Sequence, residues 1–176
     1  MKRSILNITL LLCLVIACFS CEDDLDYGQF SRDNQPAIPV TYQGATTYGH
    51  APFYTVSKTS ESDISFTLEI PESSGRTIRE ITRVVGGTTA INAATVTTGA
   101  TAANTIQASI AGSGTTATFT TSLPALKAKF PTGAANTALN GPTGTATYSE
   151  FAFMFLVTLD DNQTIVPVQL RLRIAP

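Results

Sequence analysis

Few residues in this chain of 176 are of types that do chemistry, and they are scattered. The sole histidine, His50, lies in Tyr48-Gly49-His50-Ala51-Pro52-Phe53-Tyr54. A histidine base needs one group to orient it and a nucleophile to deprotonate. Serines and threonines are plentiful, but there is no Gly-x-Ser-x-Gly elbow, and His50 reads as a loop residue. The same stretch is aromatic. Tyr42, Tyr48, Phe53 and Tyr54 are the candidate ligand contacts, able either to stack on sugar rings or to pack an N-terminal strand across a sheet. Asp160-Asp161-Asn162 offers oxygen ligands but lacks the glycine and closing glutamate of a calcium loop, and it reads as a turn. Glu69, Glu72 and Glu80 are the carboxylates to weigh as a glycosidase pair, which needs a separation of about 5–10 Å in a cleft. Strand alternation places Glu69 on an outer face and Glu72 in a turn, where carboxylates are solvated. Gly86-Gly87 and Gly112-x-Gly114 open no helix, so neither is a phosphate loop.

Composition narrows the classes further. The formal net charge is -2, with three cysteines and no tryptophan. Removing residues 1–20 takes away Lys2 and Arg3 and no acid, leaving nine basic and thirteen acidic side chains. A nucleic-acid partner, which calls for a basic patch, is not expected. All three cysteines, Cys13, Cys18 and Cys21, lie in the first 21 residues. Beyond them no thiol remains for a disulfide framework, a Cys-ligated metal or a Cys nucleophile, and one histidine cannot build a multi-His metal site. No cofactor and no catalytic machinery are expected.

Met1-Lys2-Arg3 is a positive n-region, Ile5 to Phe19 an apolar h-region, and Ser20-Cys21 a small residue followed by cysteine. This is the layout of a secretory signal peptide, and the apolar run is shorter than the roughly 20 residues that span a bilayer. The segment resembles the leader of a bacterial lipoprotein, whose lipobox ends in a cysteine that receives a diacylglycerol and then an N-acyl chain. Val15-Ile16-Ala17-Cys18 matches the common lipobox better than Cys18-Phe19-Ser20-Cys21 does. Cys21, however, is followed at once by Glu22-Asp23-Asp24-Leu25-Asp26, which looks like the surface-export signal of Bacteroidota lipoproteins. Cys21 is therefore the favoured lipid-bearing residue and Cys18 the alternative. The resemblance implies a protein anchored to the outer membrane through its lipid, facing the cell surface. Its partners would be an outer-membrane transporter or another surface lipoprotein.

The remainder divides into an acidic tether over residues 21–36 and a domain over residues 37–176, with its core in 62–176. The tether is too polar to order itself by burial. Ile38, Val40 and Tyr42 alternate briefly before Gly44, Gly49 and Pro52 break the run. Ile64, Phe66, Leu68 and Ile70 alternate with Ser65, Thr67 and Glu69, a strand with one buried face. Ile78 to Val85 is β-branched but alternates poorly. Thr105–Ala111 and Thr116–Leu123 are expected to form a hairpin through Gly112-Ser113-Gly114. Ser122-Leu123-Pro124, followed by Leu126 and Phe130, signals one short helix between the layers. Phe151 to Leu159 and Val166 to Ile174, separated by Asp160–Gln163, form a closing hairpin with Arg171 and Arg173 on its solvent face. About seven strands with one short helix fit a β-sandwich of immunoglobulin or fibronectin-III type, without the Cys–Trp–Cys signature. The ending also looks like the last two strands of small sandwich domains in such lipoproteins.

Residues 84–126 carry no charged side chain. They read either as Thr-faced strands with small-residue loops or as an interaction surface. The expected function is non-catalytic: an accessory or protein-interaction module, with glycan binding by the Tyr42–Tyr54 segment as the alternative.

Overall fold

Alternation of apolar and hydroxyl side chains builds the smaller of two sheets. The computed structural model describes residues 38–47 and 51–176, so the leader, the tether, Tyr48 and His50 lie outside the described residues. In β3 (Asp63–Glu69) Ile64, Phe66 and Leu68 are buried while Asp63 and Ser65 face out. β6 (Thr116–Ser122) pairs antiparallel with it, Phe66 opposite Phe119. The two-residue β1 (Thr41–Tyr42) completes the order β1-β3-β6.

The larger sheet contains β2 (Phe53–Ser57), β4 (Ile78–Gly87), β5 (Thr105–Ala111), β7 (Ser149–Leu159) and β9 (Leu170–Ala175), in the order β2-β9-β7-β4-β5. A two-residue β8 (Thr164–Ile165) also pairs with β7. All pairings are antiparallel except β2 with β9, which is parallel. The protein is an all-β sandwich. Strands one, three and six share one sheet and the rest share the other, the Greek-key layout of immunoglobulin-like domains.

Five phenylalanines fill the space between the sheets: Phe66, Phe119, Phe151, Phe153 and Phe155 are all fully buried. Phe153 lies in their midst, its centroid 5.1 Å from Phe66, 5.8 Å from Phe119 and 5.1 Å from Phe151. The tilted and edge-on angles are those that aromatic quadrupoles favour.

The opposite face of β7 is buried too. Ala152 and Met154 are both buried, and Met154 is covered by the β4–β5 connection, residues 88–104, which carries the short helix α1 (Ala93–Thr97). Val96 packs with Val85 and Met154, flanked by Ile91, Ala100, Leu156 and Val166. Asn92 and Thr95 form a reciprocal capping box at the helix start. Arg83 donates to the carbonyls of Val96 and Thr97 at 2.8 and 3.2 Å, satisfying groups at the helix C-terminus. Gln169 donates to Ile91 O at 2.7 Å. Part of the uncharged stretch is thus a cover for the larger sheet.

Three expectations are corrected. First, β5 and β6 are not a hairpin: β5 pairs with β4 and β6 with β3. Gly112–Thr115 carries the chain from one sheet to the other, and Gly112 passes so close to β4 that a Cβ would sit 1.9 Å from Ile78 O. Second, the described residues contain three α-helices where one was expected. The expected one is α2 (Leu123–Lys129), with Ser122 Oγ accepting from Ala125 N–H. α3 (Gly133–Leu139) follows and joins it to β7. Third, the closing hairpin forms, but Val166 and Val168 do not share the face of Leu170. Val157 pairs with Ile165 and Phe153 with Leu170, which leaves one extra residue on the returning strand. That residue inverts the parity, so Ile165 and Pro167 are buried and Val168 is 62% exposed.

The poor alternation of β4 has a related cause. Its register against β7 shifts between Ile78 and Glu80 and again between Ile81 and Arg83. Each bulge adds one residue, so Ile78, Ile81 and Val84, three apart, all reach the core.

Replacing Gly112 with alanine tests the crossing between sheets. The added methyl group collides with the Ile78 carbonyl, so Gly112→Ala should cost about 2 kcal/mol or more of unfolding free energy. Urea denaturation would read this as a lower midpoint.

Candidate functional site

The aromatic candidates divide at the sheet surface. Tyr42 occupies an inward position on β1 opposite Leu68 and is 7% exposed. Its ring lies 5.7 Å from that of Phe155, and its hydroxyl donates to Val168 O at 2.8 Å. Tyr54, opposite Leu172 on β2, sets its ring edge-on to Phe66 at 5.0 Å and donates its hydroxyl to Gln43 O. Burial pushes both phenols above the usual 10.0, Tyr42 the further of the two with a smaller push from Tyr54, so both stay neutral. Tyr42 is therefore corrected from ligand contact to core residue, and Tyr54 is half-buried against the core. β-Strand parity accounts for both, because each sits at a position that faces the opposing sheet.

Phe53 points the other way, to the outer face of the larger sheet, where it meets groups from β7 and β9. The Arg173 guanidinium lies 3.6 Å from the Phe53 centroid and 4.3 Å from that of Tyr148, so one cation is held by two rings. Arg173 Nε donates to Glu150 Oε1 at 2.9 Å, and Arg171 Nη1 donates to Glu150 Oε2 at 2.8 Å. Glu150 stands opposite Arg173 in the β7–β9 register, which places the three charges on one face. Arg171 Nε also donates to Gln169 Oε1 at 3.3 Å. Two guanidiniums share one carboxylate, so the cluster carries a net positive charge. Tyr148 is 41% exposed. Such a surface can bind an anionic or planar polar group. Sequence reasoning placed both arginines on this face but missed Tyr148. Its signal is that it shares the parity of Glu150, two residues on.

The carboxylates of the acidic candidates are engaged separately. Glu69 accepts from Gln43 Nε2 at 2.9 Å, and Glu72 is exposed in a short 3₁₀ turn, Glu72–Ser74. Glu80, on β4, accepts from Ser109, Arg79 and Thr82. The Ser109 hydroxyl, then Arg79, hold its carboxyl below the usual 4.5. Asp160–Gln163 turns between β7 and β8: Asn162 adopts φ 69°, and Asp161 Oδ1 accepts from Gln163 N–H at 2.9 Å. Arg76 bonds both Asp160, at 2.8 Å, and Asp161, tying this turn to the one before β4.

No group of three or more His, Cys, Asp or Glu among the described residues is placed to hold a metal ion. No helix among them is long and apolar enough to cross a membrane. Comparison with models of known protein families, with curated proteins and with solved structures found no match to this chain.

The lowered Glu80 carboxyl sets a pH dependence. A carboxyl held below its unfolded value stabilises the fold above that unfolded value, and the contribution is lost as pH falls through the folded one. Stability should therefore drop between about pH 5 and pH 3, and Glu80→Gln should flatten that part of the profile. Thermal melts at stepped pH would show this, and a superimposable profile for the variant would remove Glu80 from the account.

Proposed function

We propose that this chain is a membrane-anchored surface lipoprotein whose sandwich serves as a non-catalytic accessory or protein-interaction module. The observation that carries the reading is the apolar leader ending at Ser20-Cys21, with Glu22-Asp23-Asp24 directly after it. Its partners would be an outer-membrane transporter or a neighbouring surface lipoprotein. A single acyl chain binds a membrane only marginally, each buried CH₂ contributing about 0.8 kcal/mol. The three chains of a processed lipoprotein cysteine would hold the domain at the membrane through repeated partner encounters.

Palmitate labelling in a bacterial host that processes lipoproteins tests the anchor. The parent chain should take up label and pellet with membranes. Cys21→Ala should lose both properties, whereas Cys18→Ala should keep them. Label lost in Cys18→Ala and kept in Cys21→Ala would move the anchor to Cys18, and label in no form of the protein would overturn the reading.

A second reading, glycan binding, draws support from the ring pair of Phe53 and Tyr148 around Arg173 on an outer face. Its surplus positive charge favours sugars that bear carboxylates. On a glycan array Tyr148→Ala and Arg173→Gln should each abolish a signal given by the parent protein. A signal unmoved by both would place any sugar site elsewhere.

A further inference from the structure

The strand edges of this sandwich are not equally protected. An open edge presents a row of unpaired N–H and C=O groups, and proteins blunt such edges with short strands, charges, prolines or bulges. β1 is two residues long. β2 is partly closed by Thr46, which exchanges both backbone bonds with Phe53 at 2.9 Å. β5 has a register shift against Val84 and Val85, and Ser109 within it stands at φ 21°. β6 has none of these devices. Its seven residues, Thr116–Ser122, pair with β3 without a register shift and include no charge, proline or glycine. In the four-stranded sheet of an immunoglobulin domain a further strand covers this edge, but among the described residues the smaller sheet ends at β6.

Ladder alternation shows which groups are open. Ile70 N–H donates to Thr115 O, and Gln43 N–H on β1 donates to Thr67 O. Residues of an antiparallel pair alternate between hydrogen-bonded and non-bonded positions. Thr67–Thr118 and Ser65–Thr120 are thus non-bonded pairs, consistent with their hydroxyls meeting at 2.9 and 3.0 Å. Thr118 and Thr120 then direct their main-chain N–H and C=O away from β3. Neither makes a backbone hydrogen bond outside the ladder among the described residues. Thr116 is spent on Ser113, so the open edge is centred on Thr118-Phe119-Thr120.

That tripeptide is the same read in either direction. We infer that the β6 edge pairs antiparallel with β6 of a second copy of this chain, Phe119 opposite its own counterpart and Thr118 opposite Thr120. The two outward-facing threonines on each strand exchange four N–H···O=C bonds across a two-fold axis. The smaller sheets merge into one of six strands, and their threonine rows become continuous on its outer face. Such an interface is isologous and closes at a dimer. It does not depend on the lipid anchor.

Cross-linking in native membranes tests the register. Directly opposed residues of a hydrogen-bonded pair lie about 5.5 Å apart at Cα, within disulfide reach. Full chains bearing Thr118→Cys, co-expressed with chains bearing Thr120→Cys, should give a reducible dimer on mild oxidation. The corresponding mixture of Gln107→Cys and Ser109→Cys chains on β5 should not. Light scattering of the detergent-extracted full chain should give twice the protein mass of a single copy. Thr120→Pro should halve that mass, because it removes an outward N–H and no β3 bond. A single-copy mass for the parent chain, or equal cross-linking by the β5 pair, would overturn the inference. If Thr120→Pro fails to fold, the cross-linking pair decides alone.

Discussion

β7 is apolar on both faces, and a strand in that condition cannot lie on the surface of a sheet. Phe151, Phe153 and Phe155 point to one side, Ala152 and Met154 to the other, and all five are buried. The inner face obtains its cover from the β1-β3-β6 sheet. The outer face obtains it from residues 88–104, which have too little apolar surface to order themselves. The cover is therefore held by polar clamps, Arg83 on the helix carbonyls and Gln169 on Ile91 O. Neither clamp would form without the strands beneath, and β7 would face water without the cover.

The central strand thus determines where the scarce charged residues go. Arg83 serves the cover. Arg76 joins two turns at one end through Asp160 and Asp161. Arg171, Arg173 and Glu150 occupy the part of the outer face that the cover leaves open, and there Phe53 and Tyr148 enclose Arg173. Arg83 and Arg76 thus tie together elements that backbone ladders do not join, while Arg171, Arg173 and Glu150 reinforce the β7–β9 ladder. On the outer face of the smaller sheet neutral pairs, Ser65 with Thr120 and Thr67 with Thr118, reinforce the β3–β6 ladder in the same way.

What was legible in the sequence was whatever kept a period of two. β3, β6 and the end of β9 could be read this way, because each has one face in the core and a constant register, and β7 was readable from its alternating phenylalanines although both of its faces are buried. β4 could not, since two bulges convert its buried period to three residues. The β5–β6 connection was misread because a three-residue glycine loop suits a hairpin and a change of sheet equally well. The difference is made by Gly112 against the Ile78 carbonyl, a contact distant in sequence. α1 and α3 were missed because alanine, threonine and glycine give no apolar periodicity, although Asn92 and Thr95 hold the spacing of a capping box. Among the site candidates, aromatic type was visible but orientation was not. Tyr42 and Tyr54 follow the inward parity of strands bounded in the sequence only by Gly44, after β1, and Pro52, before β2. Tyr148 lay outside every pattern considered, and its neighbourhood is defined by strands β2 and β9 that are far from it in sequence.

The parallel pairing of β2 with β9 has a mechanical consequence. Phe53 lies beside Arg171 and Ser57 beside Ala175, so the two strands begin together and end together. The chain reaches β2 at its Phe53 end and leaves β9 at Pro176, the opposite end. A pull between the two ends of the domain, once the two-residue β1 has given way, slides one strand along the other. Its backbone bonds are then loaded together rather than opened one at a time like a zip. Resistance to such a load is set by the rate of unfolding rather than by equilibrium stability, and a sandwich tied in this way holds against traction.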